Sequence, residues 1–137
     1  MGVILDSSTV IAAERRGDSP RVFVHQVIAS SEDQSAALSA VDLTEIIHGI
    51  YRANSMERRL RRQQFLDELL TGLVVHPYTS QTALLAGKID GEQRALGIVI
   101  PFSDLLIGAT ALSLGYAVLT INVRHFRLIP GLTVLSA

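Results

Sequence analysis

The chain has 137 residues, of which 48% are hydrophobic and 18% charged, with a net charge of −1 and no cysteine. This length suits one domain with a sizeable core, and the composition excludes a disordered chain, a disulfide framework and a thiolate metal site. The longest apolar runs are interrupted by Gly, Pro or Ser and are shorter than the roughly 20 residues of a membrane span, and no signal peptide is visible. We therefore expect a soluble cytoplasmic protein with a single domain over residues 1–137.

Short β-type runs alternate with helical patterns along the chain. Strands are predicted at residues 3–5, 36–40, 73–76, 117–120 and 133–135. Helices are predicted at residues 7–16, 20–31, 42–54, 56–72, 80–97 and 103–115. Such alternation is typical of an α/β domain with a parallel sheet. We predict a three-layer α/β/α sandwich around a central parallel sheet of five strands.

Three acids stand out because each interrupts an apolar segment: Asp6 in "VILDSS", Glu45 in "DLTEIIHG" and Asp104 in "PFSDLLIG". Asp6 directly follows the first predicted strand, and the helix that carries Glu45 follows the second. Ligands of parallel α/β sheets bind at the carboxyl ends of the strands. We expect Asp6 and Glu45 to meet at that edge, and Asp104 to join them if its helix starts beside the site.

Each of these acids also has an interpretation as a helix cap. Asp6 is of a preferred N-cap type, and either Ser103 or Asp104 is suited to begin the last long helix. Asp42 and Glu45 have the D-x-x-E spacing of a capping box, which would use Glu45 to bind a backbone N–H. Independent caps have no reason to meet at one edge of a sheet, so a shared position there favours a common site.

The cations are concentrated in one part of the chain. Five arginines lie within eleven residues, opposed only by Glu57: Arg52, Arg58, Arg59, Arg61 and Arg62. The local charge of about +4 would attract phosphate groups. A solvated helix face is the alternative interpretation of this arginine window.

The segments "ILDSSTVIA", "SAVDLTEIIHGI" and "IPFSDLLIGATALSLGYAVLTINVRHFRLIPGLTV", in this order, resemble the PIN domain, specifically the VapC-type toxins of bacterial toxin–antitoxin pairs. The resemblance implies a nuclease fold whose acids bind Mg²⁺ or Mn²⁺ and cleave RNA. Carried over by position, the implied metal ligands are Asp6, Glu45 and Asp104. The family's fourth catalytic position, Asp or Asn, is Asn122 here, and the implied supporting positions are Ser8 and Thr120.

The chemistry of these side chains agrees with the resemblance. Mg²⁺ prefers oxygen ligands and keeps several waters, and a bound metal activates water and neutralises the scissile phosphate. Carboxylates held close together repel one another unless a cation is present. We therefore expect Asp6 to be a metal ligand rather than a cap.

The resemblance also implies partners: an RNA substrate, a VapB-type antitoxin and a second copy of the chain in a homodimer. The arginine window would then line the RNA path or dock the antitoxin. The main alternative function is an inactive PIN domain that serves as a nucleic-acid or protein binding module. Glu45 and His48 have the E-x-x-H spacing of di-iron bundles, but those bundles need two such motifs, and the chain has one.

Overall fold

A parallel sheet with helices on both faces forms the centre of the fold. The computed structural model describes residues 1–32 and 34–137, and within these ranges no helix has the length and apolarity that a membrane crossing needs. The strands are β1 (Gly2–Leu5), β2 (Ser35–Ser39), β3 (Val74–His76), β4 (Ala117–Thr120) and β5 (Val134–Ser136). The helices are α1 (Ser7–Arg16), α2 (Pro20–Ser30), α3 (Ala40–Tyr51), α4 (Met56–Leu69), α5 (Ser80–Ala95), α6 (Phe102–Leu114) and α7 (Val123–Phe126). The predicted α/β/α sandwich is confirmed.

The strand order places the end of β1 at the centre of one sheet edge. The order is β3-β2-β1-β4-β5, and all neighbouring strands are parallel. The chain moves outward from β1 to β3 and then adds β4 and β5 on the other side of β1, so the strand order reverses between β1 and β4. Ligands of parallel sheets bind at such reversal points. The residues that follow β1, β2 and β4 therefore lie along one candidate edge.

Burial on both faces fixes the position of β1. Val3 and Leu5 belong to a core cluster that they share with residues of α1, α2, α3 and α4. Ile4 points the other way, into a cluster with residues of α5, α6 and α7. A strand covered on both faces is expected to be continuously apolar, as β1 is. Because β1 is packed on both faces, this packing also constrains the position of Asp6, the residue directly after it.

Two helix starts differ from the sequence predictions, and both involve acids. Helix α3 begins at Ala40, because Ser39 is its N-cap and forms a capping box with Asp42. The alternative interpretation, a capping box of Asp42 and Glu45, is therefore wrong, and Glu45 is not used as a cap. Helix α6 begins at Phe102 after Pro101, so Asp104 is the third residue of the helix rather than its cap.

The short helix α7 lies outside the predicted helices. Its four residues are too few to show a helical period in the sequence. Helix α7 packs against α6 and β5, and its Phe126 is buried in the core. Helix α7 matters for the site because it carries His125, which reaches an acid on α6.

Candidate metal centre

Asp6 is held by two hydroxyl groups at the end of β1. Its side chain is 1% exposed, and its backbone N–H donates to the carbonyl of Leu119 at 2.9 Å. The Oδ2 atom accepts hydrogen bonds from Ser8 Oγ at 2.6 Å and from Thr120 Oγ1 at 2.8 Å. Asp6 occupies the N-cap position of α1, but its carboxylate binds these hydroxyls instead of the helix backbone. Both bonds go to one oxygen, so the arrangement presents Oδ1 to a ligand.

The two hydroxyls are oriented by the backbone after β4. Ser8 Oγ accepts from the N–H of Ile121 at 3.3 Å, and Thr120 Oγ1 accepts from the N–H of Asn122 at 2.8 Å. Each hydroxyl therefore accepts a backbone proton and directs its own proton to Asp6. Ser8 and Thr120 stand where the sequence predicts support for Asp6.

Glu45 and Asp42 approach Asp6 from α3. Glu45 Oε1 accepts from Ser7 Oγ at 2.8 Å. Asp42 is fully buried, and its carboxyl group accepts from Ser7 N at 2.9 Å and from Ser39 N and Oγ at 2.9 and 2.7 Å. One oxygen each of Asp6, Asp42 and Glu45 lie within 4.8 Å of one another. The structure thus brings two of the predicted ligands together and adds an acid that the sequence analysis treated as a cap.

Asp104 is the fourth acid of the site. It is 8% exposed, and its Oδ2 lies 2.8 Å from Nδ1 of His125, whose side chain is 47% exposed. Burial raises the pKa of Asp104 above its ordinary value; the hydrogen bond with His125 opposes the shift, and the charges of Asp6 and Glu45 add to it. The charges of Asp6 and Glu45 therefore act on Asp104. Asp104 nevertheless lies outside the group of three acids whose oxygens are within 4.8 Å of one another.

Asp42 and Asp104 disfavour negative charge when no cation is present. Burial raises the pKa of Asp42 to about 8, outweighing the hydrogen bonds from Ser39 and Ser7, and the charge of Asp6 adds to the shift. Acids that share one site repel in this way, and a cation reverses the balance. Protonation of these carboxyl groups or binding of a cation would therefore stabilise the site.

Asn122 completes the edge on the β4 side. It follows β4 at the N-cap position of α7, and its side chain is exposed, while its backbone N–H is used by Thr120. An exposed amide at this edge can contact a bound phosphate or a metal-bound water.

Sequence reasoning missed the roles of Ser7 and Asp42. The signal was present: Ser39 and Asp42 have the S-x-x-D spacing of a capping box, as strong as the D-x-x-E spacing that ends at Glu45. The end of β2 decides between the two boxes, because β2 extends to Ser39. The contact of Ser7 with Asp42 spans 35 positions, and local spacing carries no information about it.

The arginine window divides into bound and solvent-facing side chains. Arg59 donates to the carbonyl of Tyr51 at 3.3 Å and lies 5.1 Å from the centre of its ring, and Arg62 donates to the carbonyl of Gly49 at 2.7 Å. Arg52 is exposed at the end of α3. A cleft between α1 and α4 is lined by Glu14, Arg15, Arg58, Arg61 and Arg62. Arg15 thus adds a cation from α1 that the sequence window did not include.

An apolar cavity of about 70 Å³ opens beside this arginine cleft. Its wall is formed by Val10, Ile11, Ile46, Ile50, Phe65 and Leu66. The cavity and the cleft share Glu14, Arg15 and Arg62. The residues shared by the cavity and the cleft are thus two arginines and one glutamate.

Comparison with known proteins identifies the class. A model of the PIN domain matches residues 3–131, and the chain therefore belongs to the PIN-domain family. Ribonuclease VapC1 of Rickettsia felis is 32% identical, and Ribonuclease VapC of Rickettsia bellii is 33% identical; each match covers 99% of this chain and 96% of the relative. Within the family, the chain falls among the VapC ribonucleases.

A solved structure supports the fold. The crystal structure of VapBC2 from Rickettsia felis bound to a promoter DNA fragment matches with a TM-score of 0.86 at 21% identity. The match covers 100% of this chain and 99% of the compared chain. This likeness is independent evidence for the five-stranded parallel sheet and its flanking helices.

PIN nucleases use divalent metals, and the residues of this site fit such an ion. The donors at the edge of the sheet are carboxylate oxygens, with one amide nearby, which is the ligand type of hard divalent cations. The hydroxyls that bind Asp6 occupy Oδ2 and so favour coordination through Oδ1. The raised pKa values of Asp42 and Asp104 show that burial and neighbouring charge disfavour their ionised forms, and a cation would favour those ionised forms.

Proposed function

We propose that the chain is an endoribonuclease toxin of a VapBC-like pair, which hydrolyses RNA in the cytoplasm with the help of Mg²⁺ or Mn²⁺. The observation that carries the proposal is the approach of Asp6 and Glu45 at the carboxyl edge of the sheet, close enough to Asp104 that their charges raise its pKa. Neither Glu45 nor Asp104 is used as a helix cap. The full-length similarity to VapC ribonucleases supports the same activity.

Each residue has a distinct role in this proposal. Asp6, Glu45 and Asp104 would hold the metal, which when bound lowers the pKa of a water and offsets phosphate charge. Asn122 would orient the phosphate or a water from the β4 side. Ser8 and Thr120 hold Asp6 through Oδ2 and so fix the direction of its other oxygen.

Cleavage is expected to depend on divalent metal and to leave 5′-phosphate ends. A water nucleophile replaces the RNA 2′-hydroxyl in this chemistry, so cyclic phosphates are not formed. Incubation of RNA with the purified protein, with Mg²⁺, with Mn²⁺ and with EDTA, followed by end-group analysis, measures this. The Glu45→Gln variant serves as the background control for contaminating nucleases.

Cleavage that persists in EDTA, or products with 2′,3′-cyclic phosphate, would contradict the proposed mechanism. Absence of cleavage on any RNA, with metal binding intact, would favour the alternative of an inactive PIN domain that acts as a binding module.

We propose a VapB-type antitoxin as the protein partner, seated at the apolar cavity and the arginine cleft between α1 and α4. A side chain of the antitoxin would fill the cavity, and acidic residues would face Arg15 and Arg58. Because the cleft adjoins an apolar cavity, it suits such a peptide better than an RNA backbone.

Changing Arg58 and Arg61 together to Ala is expected to weaken antitoxin binding by about tenfold at low salt and by less as salt increases, because exposed charges act mainly on association and are screened. Arg62 is spared because it supports Gly49. Titration calorimetry across a salt series measures the effect, and Arg94→Ala on α5 is the control. If instead the salt slope of RNA binding falls by about one for each lost contact, the cleft belongs to RNA.

A homodimer is also part of this proposal. Three apolar side chains are strongly exposed along the segment from α5 to α6: Leu96 and Phe102 at 72% and Val99 at 60%. Exposed apolar groups of this kind often mark protein interfaces. The segment leads directly to Asp104, so a dimer formed there would place the second subunit beside the acidic site.

A further inference from the structure

Ser7 joins the segment that carries Asp6 to the helix that carries Glu45 through two hydrogen bonds. Ser7, the first residue of α1, donates its backbone N–H to Asp42 Oδ1 at 2.9 Å and its hydroxyl to Glu45 Oε1 at 2.8 Å. Asp42 and Glu45 both lie in α3, and Ser7 directly follows Asp6 in the chain. The spacing of the two candidate ligands is therefore transmitted through Ser7 and Asp42.

Asp42 is poorly suited to be a metal ligand itself. It is fully buried, Oδ1 accepts from Ser7 N, and Oδ2 accepts from the N–H and the hydroxyl of Ser39. A cation that approached either oxygen would face the donor protons already bound there. The proximity of Asp42 to Asp6 and Glu45 thus needs an explanation other than coordination.

Helix capping explains the contacts of only one oxygen of Asp42. The capping box with Ser39 uses Oδ2 and belongs to α3 alone. The bond from Ser7 N to Oδ1 crosses 35 positions and joins α3 to α1, which a cap of α3 does not require. This second bond is buried, and it lies beside both candidate ligands.

We propose that Asp42 is a positioning residue of the metal centre, which sets the separation of Asp6 and Glu45 by tying the first residue of α1 to the first turn of α3. The inference rests on the proposed function, since it presupposes a cation between these acids. Groups that orient metal ligands typically contribute about 10–100-fold to metal affinity or activity.

The first test measures Mn²⁺ affinity by titration calorimetry and RNA cleavage kinetics in variants of Asp42. Asp42→Ala removes both bonds and is expected to weaken Mn²⁺ binding by about 10–100-fold. Asp42→Asn keeps an acceptor for Ser7 N and should restore affinity to within about threefold of wild type. At saturating Mn²⁺, kcat should fall for Asp42→Ala while KM for RNA stays near the wild-type value, because Asp42 does not touch substrate.

Ser39→Ala is the matched control for capping. It removes the Ser39 hydroxyl from the box but leaves the bond between Ser7 N and Asp42, so its melting temperature should fall while Mn²⁺ affinity changes by less than about threefold. If Asp42 acted only as part of the cap, Ser39→Ala and Asp42→Ala would weaken Mn²⁺ binding equally.

A second pair of variants decides the question even if Asp42→Ala fails to fold. Ser7→Ala removes the hydroxyl bond to Glu45, and Ser7→Pro removes both that bond and the backbone N–H. Proline is favoured at the first position of a helix, and Asp6 before it has ψ 145°, a conformation that a following proline accepts. The difference between the two variants therefore isolates the bond to Asp42.

Ser7→Pro should bind Mn²⁺ about tenfold more weakly than Ser7→Ala when Asp42 is present. If Asp42→Ala folds, a double-mutant cycle should show that this difference vanishes in the Asp42→Ala background. Equal affinities of Ser7→Pro and Ser7→Ala in the wild-type background would overturn the inference. Wild type that binds Mn²⁺ without cleaving RNA would refute the proposed activity alone, whereas wild type that binds no Mn²⁺ would overturn both.

Discussion

Replacing Asp6 with Asn should abolish RNA cleavage and yet raise the melting temperature of the metal-free protein. The amide oxygen can take the place of Oδ2 and keep the bonds from Ser8 and Thr120. The amide NH₂ then replaces Oδ1 and presents protons where a cation would bind. We expect cleavage to fall by more than about 100-fold, the upper end of the effect of a merely supporting group.

The rise in melting temperature follows from like-charge repulsion. The charge of Asp6 contributes to the raised pKa values of both Asp42 and Asp104. Removing that charge relieves the repulsion in the metal-free fold. The stabilisation by Mg²⁺ should shrink at the same time, because a ligand that binds only the folded state stabilises it according to its occupancy. Thermal melts with EDTA and with Mg²⁺ measure both effects.

Asp67→Asn is the matched control, since it makes the same substitution at an exposed position on α4. It should leave cleavage and the Mg²⁺ response unchanged. Asp104→Asn should behave like Asp6→Asn, because it also removes one charge from the same group of acids, and the charges of Asp6 and Glu45 add to the raised pKa of Asp104. An Mg²⁺ response equal to that of wild type in both site variants would show that these acids do not form the metal centre.

The fold was accessible from the sequence because its elements have clear local signals. The buried strand β1 is an apolar run, and the long helices carry their own starts and stops, such as Ser19 before Pro20. Every strand end was located to within one residue, as comparison of residues 3–5 with Gly2–Leu5 illustrates. Asp6 follows β1 in the sequence, and its location at the ligand-binding edge then follows from the topology rules of parallel sheets.

Contacts between distant residues were not accessible in the same way. The pairing of Asp104 with His125 spans 21 positions and depends on α7, which is too short to show a period. The binding of Ser7 to Asp42 depends on how α1 packs against α3. For the same reason the arginine window included the charge of Arg62, but the sequence did not reveal its hydrogen bond to the carbonyl of Gly49.

Asp42 should make the metal-free protein less stable as pH rises, and this effect should be absent from Asp42→Asn. The pKa of the carboxyl group is about 8 in the fold, against an ordinary value of 3.8. Between these values the folded chain binds one proton more than the unfolded chain, so the stability that this proton supplies is fully present below about pH 4 and is lost as pH rises towards 8.

The measurement is the difference in melting temperature between wild type and Asp42→Asn, in EDTA, from pH 5 to pH 8. Taking the difference cancels most of the contribution of Asp104, which titrates in both proteins. One pKa unit corresponds to about 1.4 kcal/mol, and 1 kcal/mol moves the melting temperature of a chain of this size by about 2–6 °C. We therefore expect the melting temperature of wild type minus that of Asp42→Asn to fall between pH 5 and pH 8. The fall should be at least about 3 °C, which is the smallest effect of one pKa unit on this scale.

Saturating Mg²⁺ should reduce this fall, because a cation between Asp6 and Glu45 favours the ionised form of Asp42 and so opposes the burial and the charge of Asp6 that raise its pKa. A difference that stays constant from pH 5 to pH 8 in EDTA would mean that Asp42 is ionised throughout. In that case the bonds from Ser7 and Ser39 would outweigh burial, and the metal-free site would carry a full additional negative charge at neutral pH. The dependence on both pH and Mg²⁺ thus measures how strongly the fold disfavours the ionised form of Asp42 and how far a bound cation reverses that effect.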